Sequence, residues 1–442
     1  MLEQRTQSSC PEVAAPYGGT ELSPRIRGLR EMYWARTHVS KVLVKELTGS
    51  AEPTFVAKAR NFELRLEESP PLIQDDELLA GVALVRPKDP KAFDLGYYNS
   101  HYPPGHPNML RLGFNGIRDR AKQKLAAETD PKKRDFLEAV AISYDAACRF
   151  AREYATYLRR LSAETLDPTR RRELAEIAKV CEQIAEGPPR TFHAALQQFW
   201  FVFMFGGCGC IGRFDQWMYP FLRRDLDEGR LTKAQAQELL DSLWIKLNFF
   251  AGNNDSLRNI ALAGQTADGQ DGCNELTYMC LEATEKLRLP EPKIAVRFFR
   301  GSPRALLEVA CRVNAKGLSM PSLFNDEVAI PALRRLGIPL DDARQYCNDG
   351  CEELIIGSKC AITFSCFDSV AMLNETVFRA EQQPYASFDE VLADYKERLK
   401  RWMPDNHGQP QHITFPFFAG AIDDCLENAT TEPHYSIWGN IL

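Results

Sequence analysis

The spacing of apolar residues changes character near Gly252, and that change limits the fold of this 442-residue chain more than any other feature. Before it, Leu137, Val140, Ala141, Tyr144, Cys148, Ala151, Tyr154 and Leu158 recur at steps of three and four. That spacing paints one apolar stripe along a long helix. Ser23-Pro24 is placed to cap and open a helix through Trp34, a second is expected over Thr54 to Glu67, and Thr232 with Gln235 forms a capping box before a third. After Gly252 the run Lys293 to Phe299 is β-branched and aromatic and reads as a buried strand. Ser302-Pro303 opens a helix through Val313, Met320 to Phe324 reads as the next strand, and a helix follows from Glu327 to Leu336. Strand and helix alternating at short intervals indicate an α/β sheet or barrel, whose active sites gather where loops leave strand ends.

The bulk properties narrow the function. A formal net charge of −6, with no long Lys/Arg block, excludes a nucleic-acid footprint. Arg170-Arg171-Arg172 reads as a solvated helix face. The longest apolar stretch, Phe199 to Gly212, is 14 residues with glycines and cysteines toward its end, against the ~20 that a membrane span needs. It reads as a buried helix running into a loop. Met1 to Val13 is polar, which predicts no secretory signal and a cytoplasmic protein. Residues 1–20 read as a flexible lead-in, and the aromatic, Pro- and Gly-rich segment from Lys88 to Pro107 as a long irregular connection.

The chemistry concentrates at Gly350-Cys351-Glu352-Glu353. In an extended segment, residues two apart share a face, so Cys351 and Glu353 would look into one cavity while Glu352 turns away. A carboxylate beside a thiol disfavours the thiolate. The pair suits a thiol that keeps its hydrogen and exchanges it as an atom while the carboxylate moves protons. Thirteen cysteines in a chain without an export signal point to reduced thiols. Cys148, Cys181, Cys280 and Cys311 fall in helical patterns and read as packing residues. Cys208, Cys210, Cys347, Cys351, Cys360 and Cys366 match no metal-ligand spacing, and neither a metal nor a bound cofactor is expected.

Five segments in order resemble the glycyl radical enzymes of the pyruvate formate-lyase family. They are Gln74-Asp75-Asp76-Glu77-Leu78-Leu79-Ala80-Gly81; Pro188-Pro189-Arg190-Thr191-Phe192-His193-Ala194-Ala195-Leu196-Gln197; Gly212-Arg213-Phe214-Asp215-Gln216; Phe324-Asn325-Asp326-Glu327; and Gly350 to Glu353. The resemblance spans roughly residues 23–440. It implies a ten-stranded α/β barrel of two antiparallel five-stranded halves wrapped by helices. Here it would be one domain over 21–442, mostly helical over 21–250, with an α/β half-barrel carrying the cysteine loop over 251–442. The barrel would be incomplete at the C-terminus.

The resemblance also implies roles. Cys351 would carry a transient thiyl radical and Glu353 would act as general base. Asp215 would line the substrate cavity, against the plainer reading of a buried partner for Arg213. His106, Tyr98 and Asp368 are weaker substrate-contact candidates, and His193 reads as structural. Gly350 stands where pyruvate formate-lyase has a second cysteine, which favours the eliminase and decarboxylase branch. The family's Arg-Val-x-Gly-Tyr/Trp segment, whose glycine stores the radical, is missing; Arg312-Val313-Asn314-Ala315 is only a partial echo. The expectation is therefore a lyase whose radical domain is absent or supplied in trans. Implied partners are a small-molecule substrate, a radical S-adenosylmethionine activating enzyme, a separate radical-domain subunit and a second copy in a homo-oligomer. The alternatives are a non-catalytic remnant or scaffold with the same fold, and formate C-acetyltransferase.

Overall fold

A computed structural model of the chain describes residues 22–35, 44–97, 101, 103–206, 210–250, 258–350, 352–364, 368–405, 412–433 and 435–439. The lead-in over 1–20, Tyr98, Cys208, Cys351 and Cys366 lie outside the described residues.

The helix starts follow from local chemistry. Ser23 Oγ accepts the Ile26 N–H at 3.3 Å and Pro24 begins the helix Pro24–Trp34. Thr54 Oγ1 accepts the Ala57 N–H at 3.1 Å at the start of Phe55–Glu67. Thr232 and Gln235 exchange both bonds of a capping box, 3.2 and 2.9 Å, before Lys233–Phe250. Each such cap is worth roughly 1 kcal/mol because it satisfies an orphan N–H of the first turn.

The helix Pro131–Glu164 buries the whole Leu137–Leu158 stripe against helices Phe55–Glu67, His106–Ala127 and Pro168–Glu186. Beneath them runs Phe192–Gly206, whose side chains are buried from Phe192 to Phe205 apart from the partly buried His193. A helix buried on nearly every side has no solvent face, and this one is the spine of the core. His193 Nε2 meets the Leu78 carbonyl at 2.8 Å and ties it to the preceding layer. Past that helix the chain forms strand Cys210–Gly212, where the sequence predicted a loop.

That strand opens a four-stranded sheet with Asn259–Ala263, Lys293–Phe298 and Ser322–Asn325, all parallel and in chain order. The connections carry helices Phe214–Asp227, Lys233–Phe250, Glu275–Leu287 and Arg304–Asn314. Asn259–Ala263 is buried throughout, as a parallel sheet covered on both faces requires, while the edge strand Ser322–Asn325 alternates half-buried and exposed. The two strands and two helices read from the sequence between residues 293 and 336 fall within one or two positions of that expectation. A helix Asp326–Arg335 leads to the antiparallel hairpin Tyr346–Asn348/Leu354–Ile356. Farther on, Cys360–Phe364 pairs in parallel with Tyr435–Gly439. Among the described residues, no helix is long and apolar enough to cross a membrane.

Candidate active site

The hairpin lies across the sheet, and hydrogen bonds fix its direction. The Tyr346 carbonyl is bound by Arg297 Nη1 at 2.8 Å, near the C-terminal end of its strand. The Asn348 carbonyl receives the Cys210 thiol at 3.2 Å, and the Asp349 carbonyl receives Asn259 Nδ2 at 2.5 Å. Both donors are the first residues of their strands. The turn 349–353 therefore reaches over the N-terminal ends of Cys210–Gly212 and Asn259–Ala263.

This turn is not the extended segment that the sequence reading assumed. The Asp349 N–H donates to the Glu353 carbonyl at 2.8 Å, and the Glu352 N–H returns to the Asp349 carbonyl at 2.9 Å. Glu352 sits at φ +78°, the left-handed region. Reversing the chain within a few residues requires such a residue, so the two-residue alternation of an extended strand does not run through Glu352. Glu352 is exposed and its carboxylate accepts from Ser322 Oγ and Asn348 Nδ2, both at 2.7 Å. Those two bonds hold it in place. Glu353 is half-buried at the foot of the turn, next to strand Leu354–Ile356.

A buried ion pair anchors the hairpin. Arg297 and Asp326 are both 0% exposed and joined by two 2.9 Å bonds, Nε to Oδ1 and Nη2 to Oδ2. Asp326 also accepts the Tyr346 hydroxyl and the Gln265 N–H, each at 2.7 Å. The guanidinium lies 3.8 Å over the Tyr346 ring. Gly264, at φ +74°, leaves room for it, since a Cβ there would stand 2.7 Å from Arg297 Nε. Strand, helix start and hairpin are thus pinned at one point.

A cavity of about 460 Å³ opens beside the hairpin, lined among others by Pro103, Gly212, Arg213, Trp217, Cys347 and Lys359. Gly212 takes φ +89° at the strand end, which a side chain would strain. Arg213 enters from the same turn, and its guanidinium donates to the carbonyls of Ala263 and Gln265 and to Gln345 Oε1. Burial lowers its pKa to about 9. Cys347 lies 3.9 Å from Cys210, sulfur to sulfur, and burial drives the Cys210 thiol well up, with Cys347 adding to the effect. Burial likewise raises Cys360. The two raised thiols stay protonated near neutrality. Among the described residues, no group of three or more His, Cys, Asp or Glu side chains is disposed to hold a metal ion.

Three of the sequence candidates land elsewhere. Asp215 is fully buried, but its carboxylate accepts the Ala263 N–H, the Thr277 hydroxyl and the Gln216 amide at 2.6–2.9 Å. It braces the sheet end against the helix Glu275–Leu287 and is absent from the cavity lining, and Arg213 turns to carbonyls instead of to it. Burial raises its pKa, opposed by these bonds. His106 begins helix His106–Ala127 and is buried between Phe199 and Trp217, with ring centroids 5.0 and 5.4 Å away. Burial lowers its pKa to about 3, so it is neutral and packed. Asp368 is exposed and caps helix Ser369–Gln382 through the Ala371 N–H at 2.8 Å. In each case a polar side chain satisfies the local backbone or core.

Two residues that the sequence did not single out meet at the turn. His101 Nδ1 stands 2.6 Å from Asp349 Oδ2, and the Asp349 side chain is wholly buried. They are 248 positions apart. Asp349 adjoins the Gly350–Glu353 segment in sequence, and nothing in the spacing announces its partner.

Comparison with known proteins follows the same lines. A family model described as pyruvate formate lyase-like matches residues 90–402. Isethionate sulfite-lyase of Nitratidesulfovibrio vulgaris is 34% identical over 55% of this chain and 33% of its own length. (2S)-3-sulfopropanediol dehydratase of Klebsiella oxytoca is 30% identical over 76% of this chain and 47% of its own. The chain thus spans between a third and a half of these relatives. The glycerol-bound B12-independent glycerol dehydratase of Clostridium butyricum superposes with a TM-score of 0.81 at 24% identity, covering 95% of this chain and 69% of that one.

Proposed function

This chain belongs to the pyruvate formate lyase-like family of glycyl radical enzymes, and on that premise we propose that it carries the substrate-attacking thiol of a lyase in the eliminase and decarboxylase branch. The observation that supports the proposal is that Gly350, Glu352 and Glu353, the sequence neighbours of Cys351, belong to a hairpin pinned across the sheet beside a cavity of about 460 Å³.

The chemistry balances on this chain's own groups. A thiyl radical at Cys351 takes a hydrogen atom from a substrate carbon, forming the S–H bond and leaving a carbon-centred radical. Glu353 takes the proton of a polar group on that carbon, the bond to a substituent on the neighbouring carbon breaks with its electron pair leaving on the substituent, and the departing anion takes up the proton held by Glu353. Cys351 returns its hydrogen atom to the product radical. Such a thiol exchanges its hydrogen as an atom and carries it between turnovers. The radical itself derives from a backbone glycine activated by a radical S-adenosylmethionine enzyme. The Arg-Val-x-Gly-Tyr/Trp segment does not occur in these 442 residues, so that glycine lies outside them. The names of the relatives point to small hydroxylated or sulfonated substrates.

The test is anaerobic activation followed by electron paramagnetic resonance. The 442-residue chain alone is expected to give no glycyl doublet. With a polypeptide carrying the missing segment the doublet appears, and isethionate, (2S)-3-sulfopropanediol and glycerol are then screened for turnover. Cys351→Ser keeps the doublet and loses turnover to background, while Glu353→Gln keeps the doublet with turnover reduced by roughly 10²–10⁴-fold. A doublet from the chain alone, or full turnover in Cys351→Ser, defeats the proposal.

A further inference from the structure

We propose that His101 and Asp349 form a latch that positions the cysteine turn, with His101 acting on catalysis through Asp349 rather than on the substrate. The catalytic half of this inference rests on the function proposed above; the structural half does not.

Asp349 is the residue through which the turn is held. Its N–H is bonded to the Glu353 carbonyl, and its own carbonyl accepts both the Glu352 N–H and Asn259 Nδ2. Three bonds thus fix its backbone to the turn and to the sheet. Its side chain is 0% exposed, and a buried carboxylate needs a donor. His101 supplies one at 2.6 Å from the irregular segment that precedes helix His106–Ala127. That segment continues into Pro103 and Pro104, which line the cavity. The histidine therefore joins the cavity wall to the turn that ends at Glu353. A charge-assisted bond of this kind is short and directional, and its loss would free the turn to sample other geometries. Catalysis is sensitive to such freedom, since reacting atoms must be held within a few tenths of an ångström.

Hydrogen exchange tests the latch on the chain as it stands. The amides of Asp349 and Glu352 should exchange at least about tenfold faster in His101→Ala. His101→Gln, which keeps a donor, should hold them within about threefold of the original rate, and amides of strand Lys293–Phe298 should not change in either variant. Unchanged exchange at the turn, or acceleration spread evenly over turn and sheet, overturns the latch. In the activated assembly, His101→Ala should lower kcat at least about tenfold with KM within about twofold, and His101→Gln should recover most of it. Equal loss in the two variants would make the imidazole a proton carrier and overturn the positioning role. Absence of turnover in the unmodified assembly would refute the proposed function, while the exchange measurement would still decide the latch.

Discussion

Asp326→Ala is expected to destabilise the chain by about 3–5 kcal/mol, because it strands a fully buried guanidinium. The carboxylate accepts four bonds, two from Arg297 and one each from Tyr346 and the Gln265 backbone. Removing it leaves Arg297, 0% exposed, with neutral partners among the described residues, the carbonyls of Tyr346 and Arg344 and the Tyr346 ring. The loss should appear as a lower urea midpoint, with the hairpin loosening before the helical layer. The double variant Arg297→Met/Asp326→Leu is expected to recover most of the loss, since it removes the buried charge and keeps the volume. A single-variant loss under about 1 kcal/mol would mean that water reaches the pair and that it does not pin the hairpin.

The second large effect is a dependence of stability on pH. His106 is buried and its pKa is lowered to about 3, against an ordinary value of 6.5. A histidine held neutral in the folded state takes its proton first in the unfolded chain. Its contribution is therefore complete above about pH 6.5 and falls as the pH drops toward 3. At pH 5 the expected loss is about 2 kcal/mol relative to pH 7.5, at 1.36 kcal/mol per pH unit. Burial of Asp241 raises its pKa to about 6 and works in the opposite sense, favouring the folded state as the pH falls. The comparison that isolates the histidine is His106→Phe, which keeps a ring between Phe199 and Trp217 and has nothing to titrate. Its urea midpoint should fall less between pH 7.5 and 5 than that of the unmodified chain. Parallel falls in the two proteins would place the acid sensitivity elsewhere.

The same residue shows what a sequence can and cannot convey about a site. His106 stood in an aromatic, irregular stretch and drew attention as a possible substrate contact, yet it stacks in the core. Asp215 stood in a segment shared with the family and proved to be a brace. Both were visible as chemically capable side chains. Their employment depends on which backbone donors and rings the tertiary fold brings to them, and spacing along the chain carries no such information. At the cysteine turn the local rule itself changes: alternation holds for a strand, and Glu352 at φ +78° makes a turn.

Local chemistry by itself determined where helices begin and which stripes they bury, because caps and three- and four-residue spacing act within a few residues. Ser23, Thr54 and the Thr232/Gln235 box, and the Leu137–Leu158 stripe, needed no knowledge of the rest of the molecule. The ordered segments from Gln74 to Glu353 carried the family as well, and the family model matches residues 90–402. Only the tertiary structure decided that Arg297 meets Asp326 and Tyr346, that the hairpin crosses the sheet toward Cys210 and Asn259, and that His101 reaches Asp349 across 248 residues. These pairings are contacts between segments distant in sequence. Their free energy comes from mutual burial, which exists only once the layers have packed.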